Sequence, residues 1–131
     1  MPHVTLAKPR VTRDIDPHQA QDLLERVPRA CLSFAGQRGP ELTPVGLVYR
    51  DGCCRVSFPG GAALPGPGQE VVLLVDEGIY YFDLRAIYIR GQAQPAEAPP
   101  GAPSGQAWFE VIPLKTVAWD YGAMREVGDE G

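Results

Sequence analysis

The chain has 131 residues, of which 44% are apolar and 21% charged, a globular composition for one domain rather than two and not that of a disordered chain. Twelve basic against sixteen acidic residues give a formal charge of −4, which argues against a binder of nucleic-acid phosphates. The longest purely aliphatic stretch, residues 71–75 (VVLLV), is far short of the roughly 20 residues a membrane helix needs.

Residues 1–13 read as a polar amino-terminal arm, with prolines at 2 and 9 and no apolar segment behind Lys8, Arg10 and Arg13. No secretion signal is visible there, so a cytoplasmic protein is expected. A single domain is then expected over residues 14–122, followed by a tail, 123–131. Asp16-Pro17 opens the only convincing helix: Asp16 caps it, Pro17 suits its first position, and Gln19 stands where a capping-box partner belongs. Ala20, Leu23, Leu24 and Val27 follow as one apolar stripe, and Pro28 stops the helix. So short a helix must lean on something else.

That support is a sheet. Strands are expected over residues 30–35 (ACLSFA), 41–50 (ELTPVGLVYR) and 53–58 (CCRVSF), the last two joined by the hairpin dipeptide Asp51-Gly52. Residues 59–69 (PGGAALPGPGQ) are too rich in proline and glycine to be regular. Residues 70–76 (EVVLLVD) make the most apolar strand, and Glu77-Gly78 turns it into a long run at 79–94. A second Pro/Gly/Ala tract, 95–105, precedes a last strand at 106–119. The class is therefore mostly β: six antiparallel strands forming a barrel, with one short amino-terminal helix covering it. Pro44, Gly46 and Gly91 inside strands mark an edge, a bulge, or the close approach of a backbone or ligand.

Little in the sequence points to catalysis by side chains. GxSxG, Walker and HExxH motifs and Cys–His pairings are missing, so no catalytic residue is assigned and any chemistry must come from a cofactor. Cys31, Cys53 and Cys54 lack the spacing of a zinc site, His3 and His18 do not supply it, and the three thiols are expected to be small buried apolar groups. No metal site is expected.

Two segments stand out. In the first, a regular strand would set Tyr80, Phe82, Leu84, Ala86 and Tyr88 on one face and Tyr81, Asp83, Arg85, Ile87 and Ile89 on the other. Arg85 then lies beside Asp83, either as a structural ion pair or subunit contact, or as a fork for an anionic ligand. In the second, Trp119 ends the last strand and either plugs the barrel mouth or lies against a flat ring.

The order of these elements resembles the pyridoxamine 5′-phosphate oxidase-like, flavin-binding split-barrel superfamily, in particular its short bacterial members that use FMN or the deazaflavin F420. The resemblance runs from about Leu23 to Gly122. It is carried by the helix leading into a strand and Gly turn, by Thr43-Pro44-Val45, and by Val72-Leu73-Leu74-Val75-Asp76. Asp83-Leu84-Arg85 followed by Ile89-Arg90-Gly91, and the closing Trp119-Asp120-Tyr121-Gly122, complete it.

The resemblance implies a split β-barrel homodimer with flavin sites at the subunit boundary, and an oxidoreductase related to pyridoxamine 5′-phosphate oxidase. Position by position, it implies that Pro44, Val45 and Leu47 pass beside the ring and that Ser57 and Phe58 begin the phosphate-binding segment. Arg85 and Tyr88 line the site, and Trp119 presents an aromatic face. The pattern departs from the family after the third strand, where a Ser/Thr-x-Lys-x-Arg-like stretch is replaced by Gly60-Gly61-Ala62-Ala63-Leu64. Residues 59–69 contain no Lys, Arg, Ser or Thr. The alternative is a degenerate split barrel without flavin, serving as a dimeric binding or interaction module.

Overall fold

The computed structural model describes residues 10–78, 83–123 and 125–127. Nine strands are present among them: β1 (Arg10–Thr12), β2 (Asp14–Ile15), β3 (Arg29–Gly36), β4 (Gly39–Arg50), β5 (Cys53–Phe58), β6 (Gln69–Glu77), β7 (Arg85–Pro95), β8 (Ala107–Asp120) and β9 (Arg125–Val127). Six close on themselves in the order β8-β5-β4-β3-β6-β7, with β7 paired back to β8, and every pairing is antiparallel. This is the expected six-stranded barrel. Three short strands were not expected. β2 adds to β8 through Asp14 and Ile15, and β1 pairs with β9, so the expected arm and tail meet.

The amino-terminal helix forms as the sequence dictates, with one refinement. Asp16 accepts from the His18 amide at 2.9 Å while the Gln19 side chain accepts from the Asp16 amide at 3.1 Å, a complete capping box. The first turn, Pro17–Ala20, is 3-10, and the α-helix α1 runs only from Gln21 to Arg26. Ala20, Leu23, Leu24 and Val27 are all buried, so the whole stripe seats on the barrel end.

Period-two alternation fills the interior. Leu32, Val56, Phe58, Val71, Leu73, Val75, Ile87 and Val111 are essentially inaccessible, and Phe58 meets Phe109 edge to face at 5.4 Å. The β4–β5 hairpin turns through Asp51 (φ 54°) and Gly52 (φ 77°), the positive pair that a type I′ turn needs.

Two expectations fail. The run at 79–94 is not one strand: β6 ends at Glu77, Gly78 takes φ 119°, Asp83 and Leu84 stand outside the sheet, and β7 begins at Arg85. Tyr80, Tyr81 and Phe82 lie outside the described residues. The thiols are not uniformly buried: Cys54 is, Cys31 is half-buried and Cys53 is exposed. Neighbours on one strand face opposite ways, so Cys53 and Cys54 could not share the interior.

The glycines expected to mark irregularities explain themselves at two places. At Gly91 the β7–β8 register shifts: Gly91 faces Pro113 while Arg90 faces Lys115, leaving Leu114 as the extra residue of a bulge. A Cβ on Gly91 would drive into the Ile112 carbonyl oxygen, with the carbonyl carbon only 3.0 Å away. At Gly46 a Cβ would lie 2.5 Å from Ser57 Oγ on the paired strand. The approach at Gly91 is to backbone and only glycine permits it, whereas at Gly46 the obstacle is a side-chain hydroxyl.

Candidate functional site

The bulge at Leu114 determines what the outside of the barrel looks like. Before it, Phe109 and Val111 point inward; after it, Ala118 does. A one-residue slip exchanges the two faces of a strand, so beyond the bulge Lys115, Val117 and Trp119 all point outward. Cross-strand register then continues their rows over the neighbouring strands. Val117 stands opposite Tyr88, Tyr88 opposite Leu74, Leu74 opposite Cys31 and Cys31 opposite Pro44. Trp119 stands opposite Ala86, and Ala86 opposite Asp76. The result is a half-exposed apolar face over β3, β6, β7 and β8, centred on Tyr88 and Trp119, whose rings lie 5.3 Å apart and tilted by 37°.

A cleft of about 250 Å³ opens at one end of this face, lined by Leu74, Asp76, Leu84, Arg85, Ala86, Trp119 and Tyr121. Tyr121 is tied in by its amide to the Leu84 carbonyl at 3.0 Å, and the Arg13 guanidinium lies over its ring at 4.7 Å. Trp119 is therefore a wall of this cleft and not a plug of the barrel core.

Arg85 closes the cleft on the helix side, and its partners correct the sequence reading. Asp83 is not one of them. The guanidinium donates to Asp22 of α1 at 2.5 and 3.3 Å and to Glu77 of β6 at 3.3 Å, while Arg26 bridges the same two carboxylates. Asp22 is held below the usual carboxylate range chiefly by the Arg85 hydrogen bond, and Glu77 chiefly by Arg26. Arg85 in turn is pushed up, first by Asp22. The cluster joins helix to barrel. It also leaves the Arg85 fork facing two carboxylates already, which weakens it as a ligand for a further anion.

The structure scatters the other expected site residues. Val45, Leu47 and Phe58 are buried in the barrel core, and Ser57 is buried against Gly46. Pro44 is exposed on the outer face, in the same row as Tyr88 but three strands away. Arg85, Tyr88 and Trp119 are the three that come together. Sequence reasoning missed Leu74, Ala86 and Tyr121 as cleft walls, though strand alternation placed Ala86 and Tyr88 on one face. It missed Asp22 as well, although Asp22 and Arg26 sit at helical i, i+4 spacing.

Elsewhere, a depression of about 390 Å³ lies between the tract of Pro99, Pro100 and Pro103 and the buried Trp108, and another of about 400 Å³ lies beneath the helix near Tyr49 and Cys54. The Cys54 thiol there is pushed up to about 12 by burial, so it is an inert group and not a nucleophile. Among the described residues no cluster of three His, Cys, Asp or Glu side chains is arranged to hold a metal, and no helix is long and apolar enough to cross a membrane.

No protein-family model and no curated protein matches the sequence. Solved structures do match. An FAD-binding protein from Mycobacterium smegmatis superposes with a TM-score of 0.66 at 14% identity, over 82% of this chain and 98% of that one. A provisionally assigned pyridoxamine 5′-phosphate oxidase from Corynebacterium glutamicum gives 0.63 at 12% identity, over 95% and 99%. An FAD and haem binding protein from Mycobacterium smegmatis gives 0.64 at 10% identity, over 90% and 78%. The chain has the split-barrel fold of these proteins.

Proposed function

We propose that this chain is a flavin-binding split-barrel protein that works as a homodimer, taking FMN or the deazaflavin F420 against the outer face of β6, β7 and β8. The observation that carries the reading is the Tyr88–Trp119 pair beside an apolar cleft, on a barrel whose structural neighbours include proteins named for FAD binding. A flat conjugated ring is bound by stacking and by burial of its faces, and Trp119, Tyr88, Ala86 and Leu74 supply such a surface. The cleft holds about 250 Å³, below the 300–1,000 Å³ usual for cofactor sites. A second copy laid on the same apolar face supplies the missing wall, which is the argument for the dimer.

A bound flavin supplies the hydride chemistry of an oxidoreductase. This chain's own contribution is to hold the ring, to exclude water from one of its faces, and through the Arg85 cluster to fix α1 against the cleft. The reading puts the protein in the cytoplasm, in keeping with three cysteines that form no disulfide. The test is the absorbance of the purified protein between 350 and 500 nm, followed by fluorescence titration with FMN and with F420. A yellow protein or a saturating titration is expected; flat titrations with both at tens of micromolar would remove the reading.

One observation favours the second reading, a flavin-free interaction module. Residues 59–69 offer no cation or hydroxyl to a phosphate, and Arg85 is engaged by carboxylates. Under that reading the protein is still a folded dimer, but its melting temperature ignores both cofactors, because only a ligand that binds the native state raises it.

A further inference from the structure

We infer that Arg90 and Lys115 form the seat for the anionic tail of the ring ligand, replacing the cation-free loop after β5; this rests on the flavin reading above. The two residues stand directly opposite one another in register on β7 and β8, both exposed, on the same outer face as Tyr88 and Trp119. Like charges facing each other across an antiparallel pair are unfavourable unless an anion joins them. No carboxylate among the described residues forms an ion pair with either, and the row they share continues through Val72, Ser33 and Leu42, without an acid.

The pairing is built and not incidental. Were the ladder regular and without the bulge, Arg90 would face Leu114, and Lys115 would stand opposite Ile89 and turn toward the barrel interior. The bulge that requires Gly91 and accommodates Pro113 is therefore what brings the two cations together. Arg90 lies two residues along the strand from Tyr88, a step of about 6.8 Å. A ring seated against Tyr88 and Trp119, with a flexible tail directed along β7, delivers a phosphate to this pair. Arg offers a planar fork and Lys a point charge, a combination suited to a phosphate monoester or diester.

The experiment compares FMN with riboflavin, which carries the same ring without the phosphate, on the wild-type chain and on Arg90→Ala/Lys115→Ala. FMN is expected to bind at least tenfold tighter than riboflavin to the wild type, with the gap narrowing as salt is raised. In the double variant the FMN affinity should fall to that of riboflavin, with riboflavin unchanged and the melting temperature of the free protein no lower than that of the wild type. Equal affinities in the wild type, or an FMN preference that survives in the double variant, would overturn the assignment while leaving the flavin site in place. Failure of both ligands to bind the wild type would remove the flavin reading and this one with it.

Discussion

Replacing Gly91 with alanine tests the bulge on which the outer face depends. The added methyl group cannot be absorbed by a side-chain rotation, because what it meets is backbone: the Ile112 carbonyl, with Val111 Cγ1 at 3.1 Å behind it. Relief requires β7 and β8 to part locally. That disrupts the ladder hydrogen bonds beside the bulge, each worth about 1 kcal/mol net, and adds the 1–3 kcal/mol typical of overpacking a buried site. The ordinary advantage of alanine over glycine in a strand, roughly 0.5–1 kcal/mol, offsets a part. The net loss is about 3 kcal/mol, which for a domain of this size lowers Tm by roughly 10 °C. Urea denaturation gives the free energy directly, and Gly60→Ala is the control, since a Cβ there meets only the Gly105 carbonyl oxygen at 3.4 Å. A Gly91→Ala protein within 0.5 kcal/mol of wild type would refute the close-packed bulge.

Three further outcomes follow from the packing and the charges. Gly46→Ala should destabilise the protein through the Ser57 hydroxyl, and Ser57→Ala should restore most of the loss, because the next atom, Ser57 Cβ, is 3.9 Å away; additive effects in the double-mutant cycle would contradict this. Asp22 and Glu77 have lowered pKa values in the folded protein, so their contribution is complete above the ordinary carboxylate range near pH 4 and is lost as pH falls through the depressed values. Asp22→Asn should accordingly cost about 1 kcal/mol at pH 7, a modest figure because the carboxylate is 44% exposed, and less as pH falls below the ordinary carboxylate range; a Tm deficit that does not shrink on acidification would refute it. Toward a thiol reagent, exposed Cys53 should react fast, half-buried Cys31 more slowly, and Cys54 only on unfolding; rapid native labelling of Cys54 would contradict its burial.

Most of the barrel was legible because its signals are local. Alternating apolar residues, the Asp51-Gly52 turn and the Asp16 capping box each specify their own segment without help from the rest of the chain. The start of β7 was not legible. Residues 79–94 read as a continuous strand pattern, whereas Asp83 and Leu84 lie back against Gly78 and the strand begins only at Arg85, a tertiary fact. The site divided along the same line. Tyr88 and Trp119 share a face only because the ladder bulges at Leu114, and Gly91 was visible as an irregularity without revealing which strand gained a residue. The partners of Arg85 lie 63 and 8 residues away, on a helix and a neighbouring strand, so sequence proximity to Asp83 was a poor guide.

The proposed flavin binding is tested most directly by the crystal structure of the protein grown with FMN. Ring density is expected against Tyr88 and Trp119, closed on its other side by a second copy of the chain. FMN found instead in the cavity beneath the helix or under the 99–103 proline tract, or a monomer with this face bare in the presence of saturating FMN, would contradict it.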